Sequence, residues 1–171
     1  MNFKTWKTIT VGRGVNGLWT PSSIQPALAR GGYDSGFNDG LGLFGDYPFG
    51  ITRRETRVKL VKVSVADLGF TRGVNIWGHT IDRWVLDDIL RQAYHEFGLG
   101  LCTPEIAVQL RLQYPTQQRN HHIFVGMNIV PVLALFDRWH VIFTLSGKKL
   151  GCTRREVFES HRPFVFVKPC K

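Results

Sequence analysis

Six histidines (His79, His95, His121, His122, His140 and His161) and three cysteines (Cys102, Cys152 and Cys170) are the side chains best suited to hold a metal or move protons near neutral pH. Their spacing argues against a metal centre, because no H-x-x-x-H, H-E-x-x-H or C-x-x-C pattern occurs. We therefore expect no metal and no cofactor. His95 beside Glu96, and His140 near Asp137, are candidate acid–base pairs. His121 and His122 are adjacent at a strand entrance and point to opposite faces, so at most one joins a cluster with His95 or His140. These four histidines are the catalytic candidates. No serine or cysteine sits in a nucleophile elbow. Cys102 stands at a predicted helix start, where the helix dipole favours thiolate; a buried structural cysteine is the competing reading.

Gly12, Gly14 and Gly17 match G-x-G-x-x-G after a predicted strand, a pattern that lets a backbone approach a pyrophosphate. The context is wrong for a dinucleotide site: the next helix waits until Pro21, and no second strand delivers an acidic residue to a ribose. Charge points elsewhere. Twenty-two Lys and Arg against 13 Asp and Glu leave a net charge of +9, a field that attracts polyanions through counterion release. The candidate nucleic-acid-binding residues are Arg53, Arg54, Arg57, Lys59 and Lys62, then Arg119, Lys148, Lys149, Arg154 and Arg155; neighbouring strands would gather them on one basic sheet face. The run from Arg162 to Lys168 echoes the aromatic strand of RNA-recognition modules. Pro163 replaces the usual glycine there and both faces are apolar, so Phe164 and Phe166 read as core.

The elements that must position these groups follow from periodicity and breakers. Trp6 to Val11 alternates as a strand, and Thr20–Pro21 starts a short helix with Ile24, Ala27 and Leu28 on one face, limited or delayed by Pro26. Residues 31–50 interleave seven glycines with Tyr33, Phe37, Phe44, Tyr47 and Phe49, which reads as a loop packed down by its rings. Arg57 to Val65 is a strand either bulged near Leu60 and Val61 or covered on both faces. Thr80 caps a predicted helix from about Ile81 to Phe97, and Thr103–Pro104–Glu105 opens a second that ends before Pro115 and buries Ile106, Leu110 and Leu112. Strands return at Ile123 to Val130, Trp139 to Leu145, Gly151 to Val157 and Pro163 to Val167.

This order is α+β: one domain over residues 1–171, a mostly antiparallel sheet with two or three helices packed on one side. A chain of 171 residues with 43% hydrophobic and 20% charged residues can bury a real core and lies outside the disordered regime. No apolar run approaches the ~20 residues that cross a bilayer, so no membrane partner is expected. The odd, dispersed cysteines and the absence of an N-x-S/T sequon fit a reducing cytoplasm.

Several blocks carry a resemblance across nearly the whole chain, in order: F-K-T-W-K-T-I-T-V-G at Phe3 to Gly12, V-S-V-A-D-L-G-F at Val63 to Phe70, F-G-L-G-L-C-T-P-E-I-A-V-Q-L-R-L-Q-Y at Phe97 to Tyr114, V-G-M-N-I-V at Val125 to Val130 and R-P-F-V-F-V-K at Arg162 to Lys168. In these blocks the chain resembles a family of small uncharacterised bacterial proteins. The resemblance implies a complete member and brings no activity, ligand or catalytic residue with it. The apolar stretch from Pro131 to Asp137 and the basic one from Lys148 to Arg155 depart from the family pattern, so a basic patch would be this chain's own specialisation.

The sequence thus favours a non-enzymatic module binding nucleic acid, RNA before DNA, or a ribonucleoprotein. A small histidine-dependent hydrolase or nuclease is the alternative, and a protein-interaction domain using the rings of Phe37 to Phe49 is a third reading.

Overall fold

Threonines alternating with aliphatic residues make the first strand, β1 (Lys7–Val11), with Ile9 and Val11 turned into the core. The computed structural model describes residues 3–35, 50–71, 74–76, 79–81, 84–115, 122–127, 130–134, 137–153 and 157–169. After β1 come α1 (Ile24–Arg30), β2 (Asp34–Ser35), β3 (Thr56–Ser64), β4 (Val74–Ile76), β5 (His79–Ile81) and β6 (Trp84–Val85). The chain continues through α2 (Leu86–His95), α3 (Pro104–Gln113), β7 (Ile123–Val125), β8 (Val130–Ala134), β9 (Asp137–Ser146), β10 (Lys149–Thr153), β11 (Val157–Phe158) and β12 (Pro163–Val167).

The main sheet runs β1-β3-β12-β7-β9-β10-β2, with β8 added to β9. Its ladders are antiparallel except β12 with β7 and β10 with β2, which makes the domain α+β as the element order implies. β3 pairs with β1 and β12 in unbroken register while Leu60 and Val61 are both buried, so of the two readings of this strand the cover on both faces holds and the bulge does not. β12 lies at the heart of the core, with Phe164, Val165 and Phe166 fully buried. The rings of Phe124, Phe158 and Phe164 meet in tilted and edge-on contacts 4.8–5.4 Å apart.

The helix expected from Ile81 to Phe97 is shorter. Thr80 lies in the β4–β5 ribbon, Trp84 and Val85 pair with β11, and α2 begins only at Leu86. β-Branched and aromatic residues before position 86 favour strand pairing, and Asp87 and Asp88 in the first turn are the effective start signal. The strand expected from Ile123 to Val130 is likewise divided, β7 ending at Val125 and β8 opening at Val130. Pro26 falls in the first turn of α1, where its missing N–H removes no helix bond. Most of the expected 31–50 loop, residues 36–49, lies outside the described residues, as do the rings of Phe37, Phe44, Tyr47 and Phe49.

Helix α3 departs most from an ordinary surface helix. Its residues from Glu105 to Arg111 are all buried, the polar Glu105, Gln109 and Arg111 included. Glu105, Gln109 and Gln113 recur every four residues and therefore share one face, which meets the outer edge of β1, the end strand of the sheet. An end strand leaves alternate N–H and C=O groups without a ladder partner. Here α3 supplies partners through side chains. Tyr114 Oη donates to Thr8 O (2.9 Å), Gln113 Oε1 accepts from Thr10 N (2.9 Å), Gln113 Nε2 donates to Thr10 O (2.6 Å) and Glu105 Oε1 accepts from Gly12 N (2.8 Å). On the other side of the helix, the Arg111 guanidinium donates to Gly147 O (2.6 Å) and Lys149 O (3.0 Å) and lies 5.7 Å from the centre of the Tyr33 ring. Burial pulls Arg111 down from the ordinary arginine range, with Tyr33 acting in the opposite direction. One helix thus fastens the first strand and the β9–β10 turn.

Candidate functional site

After Val11 the chain turns sharply, and positive φ angles at Gly12 (131°), Gly14 (83°), Asn16 (52°) and Gly17 (77°) define the turn. Gly12 packs so closely on the segment before β3 that a Cβ there would lie 2.7 Å from Arg54 O and 2.8 Å from Glu55 Cα. The inner side of this turn is already occupied by an anion of the chain itself. Glu105 accepts from Gly12 N through Oε1, and through Oε2 from Thr52 N (2.8 Å) and Thr52 Oγ1 (2.6 Å). The Gly12 N–H, which a G-x-G-x-x-G loop would offer to a pyrophosphate, is therefore engaged by the chain's own carboxylate. Gln109 completes the inner surface by donating to Val15 O (3.0 Å) and accepting from Asn16 Nδ2 (2.8 Å).

Among the described residues the outer side is uncovered. Trp19 is 64% exposed, its ring set against Gly14 and its backbone N–H donating to Ser23 Oγ at 3.0 Å, while the next residue, Thr20, caps the turn that leads into α1. The Arg30 guanidinium lies against Gly17, and Arg13 N–H donates to Thr52 O (2.9 Å), which sets Arg13 beside Arg53 and Arg54. Arg13, Arg30, Arg53, Arg54 and Arg57 are all exposed. Among the described residues none of them forms an ion pair, and neither does Glu55, the one acid between positions 50 and 66.

The structure divides the remaining cationic candidates. Arg57 and Lys59 stand opposite Thr10 and Thr8 of β1, whereas Lys62 has the other parity and reaches the ring of Trp6. Lys148 and Lys149 belong to the β9–β10 hairpin, four strand positions from β3 and so roughly 19 Å away along the sheet. Lys149 is moreover paired with Asp34 at 3.6 Å. The expected single basic face is therefore not what the sheet order builds: the cations gather at β3 and the glycine turn, apart from the hairpin. Arg119, Arg154 and Arg155 lie outside the described residues.

Of the histidines, His95 is exposed at the end of α2 with its ring 5.0 Å from that of Tyr94, and His122 is exposed at the entry to β7. His121, and the side chain of His140 in β9, lie outside the described residues. Among the described residues no three His, Cys, Asp or Glu side chains form a group able to hold a metal ion. Cys102 follows the structural reading: its thiol donates to Val165 O (3.4 Å), and burial pushes its pKa up, the reverse of the shift expected at a helix start. Phe164 and Phe166 are core residues and offer no face to a base.

Sequence reasoning passed over Trp19, Arg13 and Arg30. The available signal was the glycine motif itself, because a turn of that kind folds its flanking residues back onto the strand that pairs with β1. In comparisons with known proteins, no family model, curated protein or solved structure matches this chain. No helix among the described residues is long and apolar enough to cross a membrane.

Proposed function

We propose that this chain is a non-enzymatic binding module for single-stranded RNA, free or in a ribonucleoprotein, with the outer side of the glycine turn as its contact surface. Trp19 is the stacking platform, and Arg13, Arg30, Arg53, Arg54 and Arg57 meet the phosphates. The observation that carries this reading is the exposed indole on a turn held from beneath by Glu105, with exposed arginines on and beside that turn that form no ion pair among the described residues. A ring that presents a free face suits unstacked bases; the bases of a duplex are already stacked and would gain nothing from it. Guanidinium groups add phosphate contacts and stack in turn on bases.

The test is the affinity of a labelled single-stranded RNA measured across a salt series, with single-stranded DNA and duplex RNA alongside. Affinity falls steeply as salt rises, with a log–log slope of roughly −0.7 for each phosphate neutralised. Trp19→Ala weakens single-stranded binding by about 1–3 kcal/mol and leaves the unfolding midpoint in place. A flat salt response, or an unchanged affinity in Trp19→Ala, overturns the proposal.

A further inference from the structure

We infer a second phosphate contact at the opposite end of β1, where Lys7 and Lys62 flank Trp6; as a contact for the same RNA strand it rests on the reading above. Lys7 Nζ lies 4.3 Å from the centre of the Tyr114 ring and 5.9 Å from that of Trp6, and Lys62 Nζ lies 5.3 Å from Trp6 on the neighbouring strand. Tyr114 is itself held by its hydrogen bond to Thr8 O, so both ammonium groups are steered by rings the fold has already placed. Neither lysine has an acidic partner among the described residues. Two like charges collected on one indole, with no carboxylate between them, form a site whose missing component is an anion. Because the rings restrict the lysine stems, less side-chain freedom is lost when a phosphate arrives.

Position selects the ligand. β1 rises about 3.4 Å per residue, so Trp6 and Gly12 stand ~20 Å apart; exposed Thr8, Arg57 and Lys59 line one face between the two ends, while Lys7 and Lys62 have the opposite parity. A single strand bound at Trp19 reaches Lys7 and Lys62 only if it is long enough to run the length of β1 and pass around its start to the other face; a shorter one does not.

The experiment uses the full chain with two RNAs, one of about 3 nucleotides and one of about 12, within the length range of single-strand sites. Lys7→Gln/Lys62→Gln keeps much of each stem and removes both charges. It is expected to weaken the long RNA about tenfold at low salt, to reduce its salt slope by roughly 1.4, and to leave the short RNA unchanged. Lys7→Arg/Lys62→Arg restores the long-RNA affinity, which separates a charge effect from a packing effect. Unchanged affinity and slope for the long RNA, while Trp19→Ala still weakens both RNAs, overturns this inference alone. Equal loss for both lengths also overturns it, and wild-type protein that binds neither RNA overturns it together with the reading on which it rests.

Discussion

On the inner side of the glycine turn the Glu105 carboxylate is fully buried and accepts three hydrogen bonds, whereas on the outer side Arg13, Arg53 and Arg54 stand in solvent with no acidic partner among the described residues. Both sides use charge beside the same glycines, and the consequences differ because the surroundings differ. A charge removed from water must be matched by donors or it destabilises the fold, so Glu105 is tied to Gly12 and Thr52. An exposed charge carries no such requirement and remains available to a ligand. A turn anchored from below fixes the backbone that carries Trp19 and Arg13, and under the function proposed above this lowers the cost of ordering them on binding.

The largest effect expected to break this contrast is at Glu105. Glu105→Ala leaves the buried Gly12 N–H and the part-buried Thr52 N–H without their acceptor and lowers stability by about 2–4 kcal/mol in denaturant unfolding. Glu105→Gln costs less, because an acceptor for Gly12 survives while an amide donor confronts Thr52. Arg53→Ala, on the outer side, changes the same measurement by less than about 0.5 kcal/mol, as unpaired surface positions do. Next in size is Gly12→Ala, for which the positive φ and the contact with Arg54 O predict a loss of about 2–3 kcal/mol and a weakened Trp19 surface.

The smallest effect concerns Cys102, which contrasts a buried acid with the exposed cations. Its folded pKa is raised by burial, so the stability it contributes is fully present below the ordinary thiol pKa of about 8.5 and is lost as pH rises beyond it, because only the unfolded chain then releases the proton. Unfolding midpoints measured from pH 7 to 10.5 should fall in the wild type, and Cys102→Ala should fall less steeply over the upper part of that range.

Much of the architecture was legible because its signals are local. β12 runs from Pro163 to Val167 as its short apolar run and proline imply, α3 starts at Pro104 after Thr103, and Phe164 and Phe166 are core. Where local signals competed the reading erred: Thr80 resembles a cap, but β-branched neighbours drew it into a ribbon. The cationic site was half legible. Arg53, Arg54 and Arg57 stand out by type, while Trp19, Arg13 and Arg30 join them only through the folded turn.

By itself the sequence determined several elements, β12 and the start of α3 among them, that the domain is α+β and that positive charge is in excess, since period, breakers and composition act over a few residues. Tertiary structure alone decided which charges are engaged within the fold and which stand exposed without an ion pair among the described residues. Glu105 reaches Gly12 across 93 positions and Gln113 reaches Thr10 across 103. No local pattern specifies such a partner, because a hydrogen bond depends on which atoms the closed chain brings within about 3 Å.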